Sequence, residues 1–152
     1  MKKIANISLP ETAVDTRYLE TLMGYNARRA ALKAIALFSQ RLVDFGLTPV
    51  DFSVLSLIGH NPGITSRQLC SALNILPPNL VGKISAMEQR RLIERRPHPQ
   101  DGRAVGLHLS VEGGRFMTQA EQAASQLEDE VTSGLSAAEK KTLLRLLQKV
   151  YR

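Results

Sequence analysis

Beyond Arg91 the hydrophobic pattern changes period, and this change constrains the fold more than any other feature of the chain. Before it, apolar residues recur every three or four positions; from Leu92 to Leu109 they alternate; from Ser110 the helical spacing resumes. The stretch Glu94 to Ser110 reads ERRPHPQDGRAVGLHLS. Leu92 to Arg96 and Ala104 to Leu109 can pair as short strands, with Val105, Leu107 and Leu109 on one face and Gly106 and His108 on the other. Pro97, Pro99 and Asp101-Gly102 suit the connecting loop, where a missing donor or a positive φ does little harm. The hairpin is a wing beside a helical body, so the fold class is mainly α with a small β wing.

Composition agrees with a helical body. The chain has 152 residues, 43% of them hydrophobic but only 5% aromatic and none of them Trp, so one core is built from Leu, Ile, Val, Ala and Met. No apolar run approaches the roughly 20 residues that span a bilayer, and Met1 to Pro10 lacks a secretory signal. A cytoplasmic protein without membrane association is expected. Cys70 is alone, which excludes an internal disulfide and a cysteine-based zinc site within one chain. Lys and Arg outnumber Asp and Glu by seven to five over residues 1–61 and by seven to three over 62–109, and equal them at six each over 110–152. The basic middle points to a polyanion as partner, with a merely solvated surface as the alternative on charge alone.

The punctuation divides the chain into helices. From about Asp15 to Phe45, Leu19, Leu22, Ile35, Phe38, Leu42 and Phe45 recur at helical spacing and predict one long helix, with Gly24 its weak point. Gly46 ends it. Thr48-Pro49-Val50-Asp51 supplies a cap, a first-turn Pro and an acid three after the cap, opening a second helix to about Gly59. After the Asn61-Pro62-Gly63 turn, Thr65 or Ser66 caps a short helix with Leu69, Cys70 and Leu73 inward, where Cys70 is read as buried and inert. Asn74 and Pro77-Pro78 then open a helix reaching about Arg91. Ser110 caps a fifth long helix to about Thr132, and Ser136-Ala137-Ala138-Glu139 is a capping box for the last. The first dozen residues have weak periodicity and are read as an arm.

Two helices followed by a basic hairpin follow the order of a winged helix-turn-helix. In the helix before the wing, Leu80, Val81, Ile84 and Met87 fall on one side at 100° per residue. Pro78, Gly82, Ser85, Ala86 and Gln89 fall opposite, with Asn79, Lys83 and Arg90 toward an edge. The outward side is small, which lets the helix axis approach another surface. A DNA major groove admits such a helix: Asn79, Ser85 and Gln89 can bond base edges, while Lys83 and Arg90 can reach phosphates. The alternative is that Gly82 and Ala86 pack against another helix of this chain or a partner. Arg95 and Arg96 at the base of the hairpin and Arg103 near its tip can touch backbone phosphate or the minor groove. Asp101 would repel DNA if it faced outward, so it is expected to anchor the turn through loop amides or an arginine.

The long first helix, the segment GITSRQLCSALNILPPNLVGKISAMEQRRLIERR, the wing DGRAVGLHLS with its Asp-x-Arg core, and two C-terminal helices resemble the MarR family of bacterial transcriptional regulators. The resemblance covers about Asp15 to Arg152. It implies one MarR-like domain over residues 1–152, with a winged helix-turn-helix at 48–110 and dimerisation helices at 15–45 and 111–152. It further implies a homodimer that binds a palindromic operator on double-stranded DNA as a repressor. Release would follow entry of a small molecule, often an aromatic acid or phenolic compound, into a crevice between the dimer helices and the winged part. Asp101 matches the wing acid and Arg103 the wing arginine; Pro78, Asn79, Gly82 and Lys83 occupy recognition-helix positions. Arg91 departs from the pattern, since the family commonly has Gly there.

Dimerisation can also be argued from the residues, because Leu- and Ala-rich terminal helices expose more apolar surface than one small core covers; the alternative is a self-contained monomer with the terminal helices folded onto the winged unit. Tyr25, Arg28, Arg29 and His60 lie on segments able to line the effector crevice, where a cation suits an anionic or aromatic ligand. The three histidines, His60, His98 and His108, lack metal-ligand spacing, and no nucleophile motif, phosphate-binding glycine loop or paired carboxylates appear, so neither catalysis, a metal nor a cofactor is expected. A competing reading is a winged-helix protein-interaction module whose small-residue face docks on a partner protein without sequence-specific DNA binding.

Overall fold

The computed structural model describes residues 14–98 and 101–152, with the side chains of residues 98 and 101–103 outside the described set. The N-terminal arm expected from the sequence falls outside it as well. Among the described residues, seven helices and one two-stranded antiparallel sheet follow in the order α1 (Arg17–Glu20), α2 (Met23–Arg41), a 3-10 turn (Val43–Phe45), α3 (Pro49–His60), α4 (Ser66–Leu73), α5 (Pro77–Gln89), β1 (Ile93–His98), β2 (Asp101–Leu109), α6 (Val111–Val131) and α7 (Ala137–Tyr151). They fall into two compact units, the first ending at Leu32 and the second spanning Lys33–Arg152. Among the described residues no helix is long and apolar enough to cross a membrane.

The long first helix expected from Asp15 to Phe45 is interrupted at Thr21-Leu22, ahead of Gly24. Local polar side chains stabilise the break. Thr21 Oγ1 donates to Tyr18 O at 2.7 Å, and Asn26 Nδ2 donates to both Glu20 O and Leu22 O at 2.8 Å, satisfying carbonyls that a continuous helix would have used. The helix also stops at Arg41, and the 3-10 turn that follows ends on Gly46 at φ 59°, a left-handed conformation that glycine adopts without penalty.

The remaining helix starts obey local chemistry. Thr48 with Asp51, Thr65 with Gln68 and Ser136 with Glu139 each form reciprocal capping boxes, and Ser110 Oγ accepts from Gly113 N. Thr65, rather than Ser66, is the cap of α4. The core of the second unit is aliphatic: Leu42, Val54, Leu55, Ile58, Leu69, Leu80, Ile84 and Leu107 are essentially inaccessible, each contributing about 1.5–3 kcal/mol by burial.

Leu107 is the wing's contribution to that core, and it fixes the hairpin to the body. Its carbonyl accepts from Gly63 N and its amide donates to Ile64 O, both at 2.9 Å, so residues 63–64 add a short third rung to β2. The strands run longer than expected. Pro97 pairs with Val105 inside β1 instead of lying in the loop, tolerated because the register shifts immediately after it. Val105 is nearly half exposed, so the alternation buries Leu107 more completely than its neighbour on the same face.

Candidate nucleic-acid interface

α5 sits on α4 and β1 through Leu80, Ile84 and Met87, spaced four and three residues apart, all nearly inaccessible. Pro78, Asn79, Gly82, Ser85, Ala86 and Gln89 are exposed on the other side. A Cβ placed on Gly82 would meet nothing within 4 Å. At Gly82, then, no described residue packs against the small face. The sequence reading put Val81 inward, but it is 67% exposed. The buried stripe centred on Leu80, Ile84 and Met87 is too narrow to hold a residue 100° away from Leu80. Val81 therefore belongs to the outward set, where an apolar side chain can meet a thymine methyl.

Four of the cations expected to reach phosphate, Lys83, Arg90, Arg95 and Arg96, already have partners within the protein. Lys83 Nζ lies 2.8 Å from Asp51 Oδ1, with both side chains less than a third exposed. Burial pushes the Asp51 carboxyl up, but the Lys83 ammonium and the Thr48 hydroxyl and amide more than reverse this, so it titrates below the ordinary carboxylate range. Arg90 donates to Phe45 O at 2.8 Å and Gly46 O at 3.2 Å, and its guanidinium carbon lies 5.3 Å from the centre of the Phe116 ring. Lys83 and Arg90 thus act as ties that hold α5 in place. Arg95 makes a two-pronged pair with Glu88 at 2.6 and 3.1 Å, which raises the guanidinium's already high pKa, and Arg96 pairs with Glu94. The side chains of Asp101 and Arg103 lie outside the described residues; their backbone belongs to β2.

Sequence reasoning passed over Arg67. It is exposed at the second position of α4, among the described residues it has no acidic partner, and together with Arg95 it flanks an apolar cavity of about 360 Å³ containing Cys70 and Val81. A lone arginine early in a short helix carries no signal that separates it from a solvated one. Cys70 is half-buried on that cavity rather than sealed in the core, because α4 buries fully only Leu69.

The turn between α5 and β1 explains how the wing is aimed. Arg91, the departure noted in the sequence, adopts φ 59°, a conformation costing a non-glycine residue about 1–2 kcal/mol. Ser110 holds it there: its Oγ donates to Arg91 O at 2.6 Å and its amide donates to Leu92 O at 3.0 Å. The first turn of α6 presses so closely on this turn that a Cβ on Gly113 would lie 1.9 Å from Leu92 O.

A buried-stripe helix with a small outward face, joined by a tight turn to a basic hairpin, is the geometry of a winged helix-turn-helix. The model of the MarR family matches residues 45–104, the end of the 3-10 turn through the first residues of β2. A protein of Thauera aromatica named as a transcriptional regulatory protein for the hcr operon is 30% identical over 131 residues, covering 86% of this chain and 79% of that one. The chain belongs to the MarR family. It is a DNA-binding transcriptional regulator of that family, built on a winged helix. Among solved MarR-like structures, the transcriptional repressor CouR bound to a 23-mer DNA duplex superposes with a TM-score of 0.85 at 32% identity, covering 93% of this chain and all of that one. CouR bound to p-coumaroyl-CoA gives 0.78 at 31%, with 92% and 99% covered.

Proposed function

We propose that this regulator is a cytoplasmic repressor that binds a palindromic operator as a homodimer and is released by a small aromatic molecule. The observation that carries the reading is the outward face of α5: exposed, small, and unopposed at Gly82 by any described residue. Asn79, Val81, Ser85 and Gln89 then read base edges, and Gly82 and Ala86 allow the axis to approach. Pro78 opens the helix, while Lys83 and Arg90 hold its pitch. Arg95 and Arg96, exchanging their acidic partners, together with Arg103 of the wing and Arg67, supply phosphate contacts; Asp101 anchors the wing.

Residues 48–110 form the DNA-binding part, and residues 15–45 and 111–152 form the dimer. α7 supports this pairing: it buries no residue, yet Leu143, Leu144, Leu146, Leu147 and Val150 lie along it, each 39–59% exposed. A twofold dimer sets two copies of α5 about one DNA turn apart. Among the effector candidates, Tyr25, Arg28 and Arg29 lie on α2 in the first unit, and His60 ends α3 in the second, with its ring facing Glu121 at 3.0 Å. Likeness to CouR, solved with both DNA and a small ligand, supports release by a ligand that favours one spacing of the two winged parts.

A mobility-shift series with inverted-repeat and scrambled duplexes at several salt concentrations tests the reading. The expected result is tighter binding to the inverted repeat, with Gln89→Ala or Asn79→Ala changing sequence preference and Arg67→Ala flattening the salt dependence. Equal affinity for both duplexes overturns it and favours a protein-docking role for the same face.

A further inference from the structure

Within the second unit, α2, α3 and α6 border an open cleft of about 430 Å³, large enough for a small ring compound. Its floor is apolar. Phe38 and Phe52 meet edge to face with centroids 5.7 Å apart, beside Pro49 and Leu127.

Its polar wall is unusual in carrying only acceptors. Ser53 Oγ donates to Pro49 O, Ser56 Oγ to Glu121 Oε1 and Ser125 Oγ to Glu121 O, each at 2.9 Å. A hydroxyl has a single proton, so all three serines are committed within the protein and have only lone pairs left for a guest. Glu121 and Glu128 add carboxylates, and among the described residues no Lys or Arg lines the cleft. The neighbouring donor, His60, directs Nε2 at the Glu121 carboxylate. An aromatic carboxylate placed here would bring acceptors to acceptors and a negative charge toward two others, with nothing to offset its lost hydration.

We infer that this cleft selects an aromatic compound whose polar group donates hydrogen bonds, an arylalkyl amine ahead of a phenol, and discriminates against aromatic acids. The inference rests on the cleft's being the effector site of the proposed repressor. An ammonium supplies three donors and a charge opposite to Glu121 and Glu128; a phenol supplies one donor and no charge; the ring occupies the Phe38 and Phe52 floor in either case.

The test uses the full chain and three probes of similar size: benzylamine, 4-methylphenol and benzoate. Calorimetric titration of the chain alone is expected to rank them in that order, with at least tenfold between the first and the last. Glu121→Gln is expected to weaken benzylamine about tenfold and 4-methylphenol less than threefold. Because Glu121 also receives Ser56, Glu128→Gln serves as a second variant, with weaker benzylamine binding and an unchanged melting curve. Phe52→Ala is expected to weaken every probe that binds. Benzoate binding as tightly as benzylamine, with loss on Phe52→Ala, overturns the donor class; failure of all three to bind overturns the cleft as a ligand site. Both outcomes are read without DNA, so they stand apart from a failure to prefer inverted repeats, which strikes the repressor reading instead.

Discussion

α5 and α7 are both exposed helices of the second unit, and they are exposed for opposite reasons. α5 buries a complete stripe and turns outward residues that have little to gain from burial: Gly82, Ser85, Ala86 and Gln89. α7 buries nothing, although four leucines along it remain 39–48% accessible. At about 25 cal/mol per Å² of apolar surface, covering such a face is strongly favourable, whereas covering the small face of α5 by an apolar surface gains little. Surface chemistry therefore distinguishes a face suited to a polar polymer from a face suited to a second copy of the chain.

The largest expected effect comes from exchanging those characters. Leu143→Glu with Leu147→Glu should convert a dimer to a monomer in light scattering and lower affinity for the inverted repeat by about a hundredfold or more, because two linked half-sites become independent. Ser85→Glu with Gln89→Glu should abolish duplex binding while leaving the oligomer intact and stability within about 0.5 kcal/mol. A dimer that survives the leucine changes would break the comparison.

Glycines sharpen it next. Gly113→Ala drives a Cβ into the backbone of Leu92, and a loss of about 1–3 kcal/mol or more is expected in thermal or denaturant unfolding. Gly82→Ala has open space; it should gain about 0.5–1 kcal/mol as a helix-interior glycine replaced by alanine, yet weaken binding to the duplex. The same chemical change thus has opposite signs on stability according to what faces the residue.

Most of the helix starts were legible because their signals are local. Thr48-Asp51, Thr65-Gln68, Ser110 and Ser136-Glu139 each act across three residues, and the alternating pattern around Leu107 marked the wing. What escaped was set at a distance. Lys83 and Arg90 look like free cations in sequence because their partners, Asp51 and the carbonyls of Phe45 and Gly46, are more than thirty residues away. Val81 was misplaced because its exposure depends on where neighbouring elements pack around α5, which helical periodicity does not contain. The break at Thr21-Leu22 was hidden because Asn26 reaches back to carbonyls that an ordinary helix would have occupied.

A smaller effect probes the Lys83 tie. Asp51→Asn should cost about 1–2 kcal/mol near neutral pH, through the lost charged hydrogen bond and a weakened cap. Since the folded-state pKa of Asp51 is lowered, its contribution is fully present above the ordinary carboxylate range and lost as pH falls through the lowered value. The stability gap between parent and variant, followed by urea unfolding, should therefore be constant above about pH 5 and close in acid. A gap that widens in acid would mean that Lys83 gains nothing from the pair. A comparably small effect is expected at Arg91, where Arg91→Gly should relieve about 1 kcal/mol of left-handed backbone strain in the same assay.

Arg90 carries a mechanical consequence. One guanidinium clasps two carbonyls of the turn after α2 and lies over a ring of α6, while its own backbone ends α5. A tilt of α5 away from both the turn and α6 would have to surrender all three attachments together, so displacement passes through this clasp as through a rivet rather than a hinge. In the proposed dimeric repressor each reading head then travels as a stiff block, and the quantity left for a ligand to adjust is the gap between the heads, not the angle at which either one meets the bases.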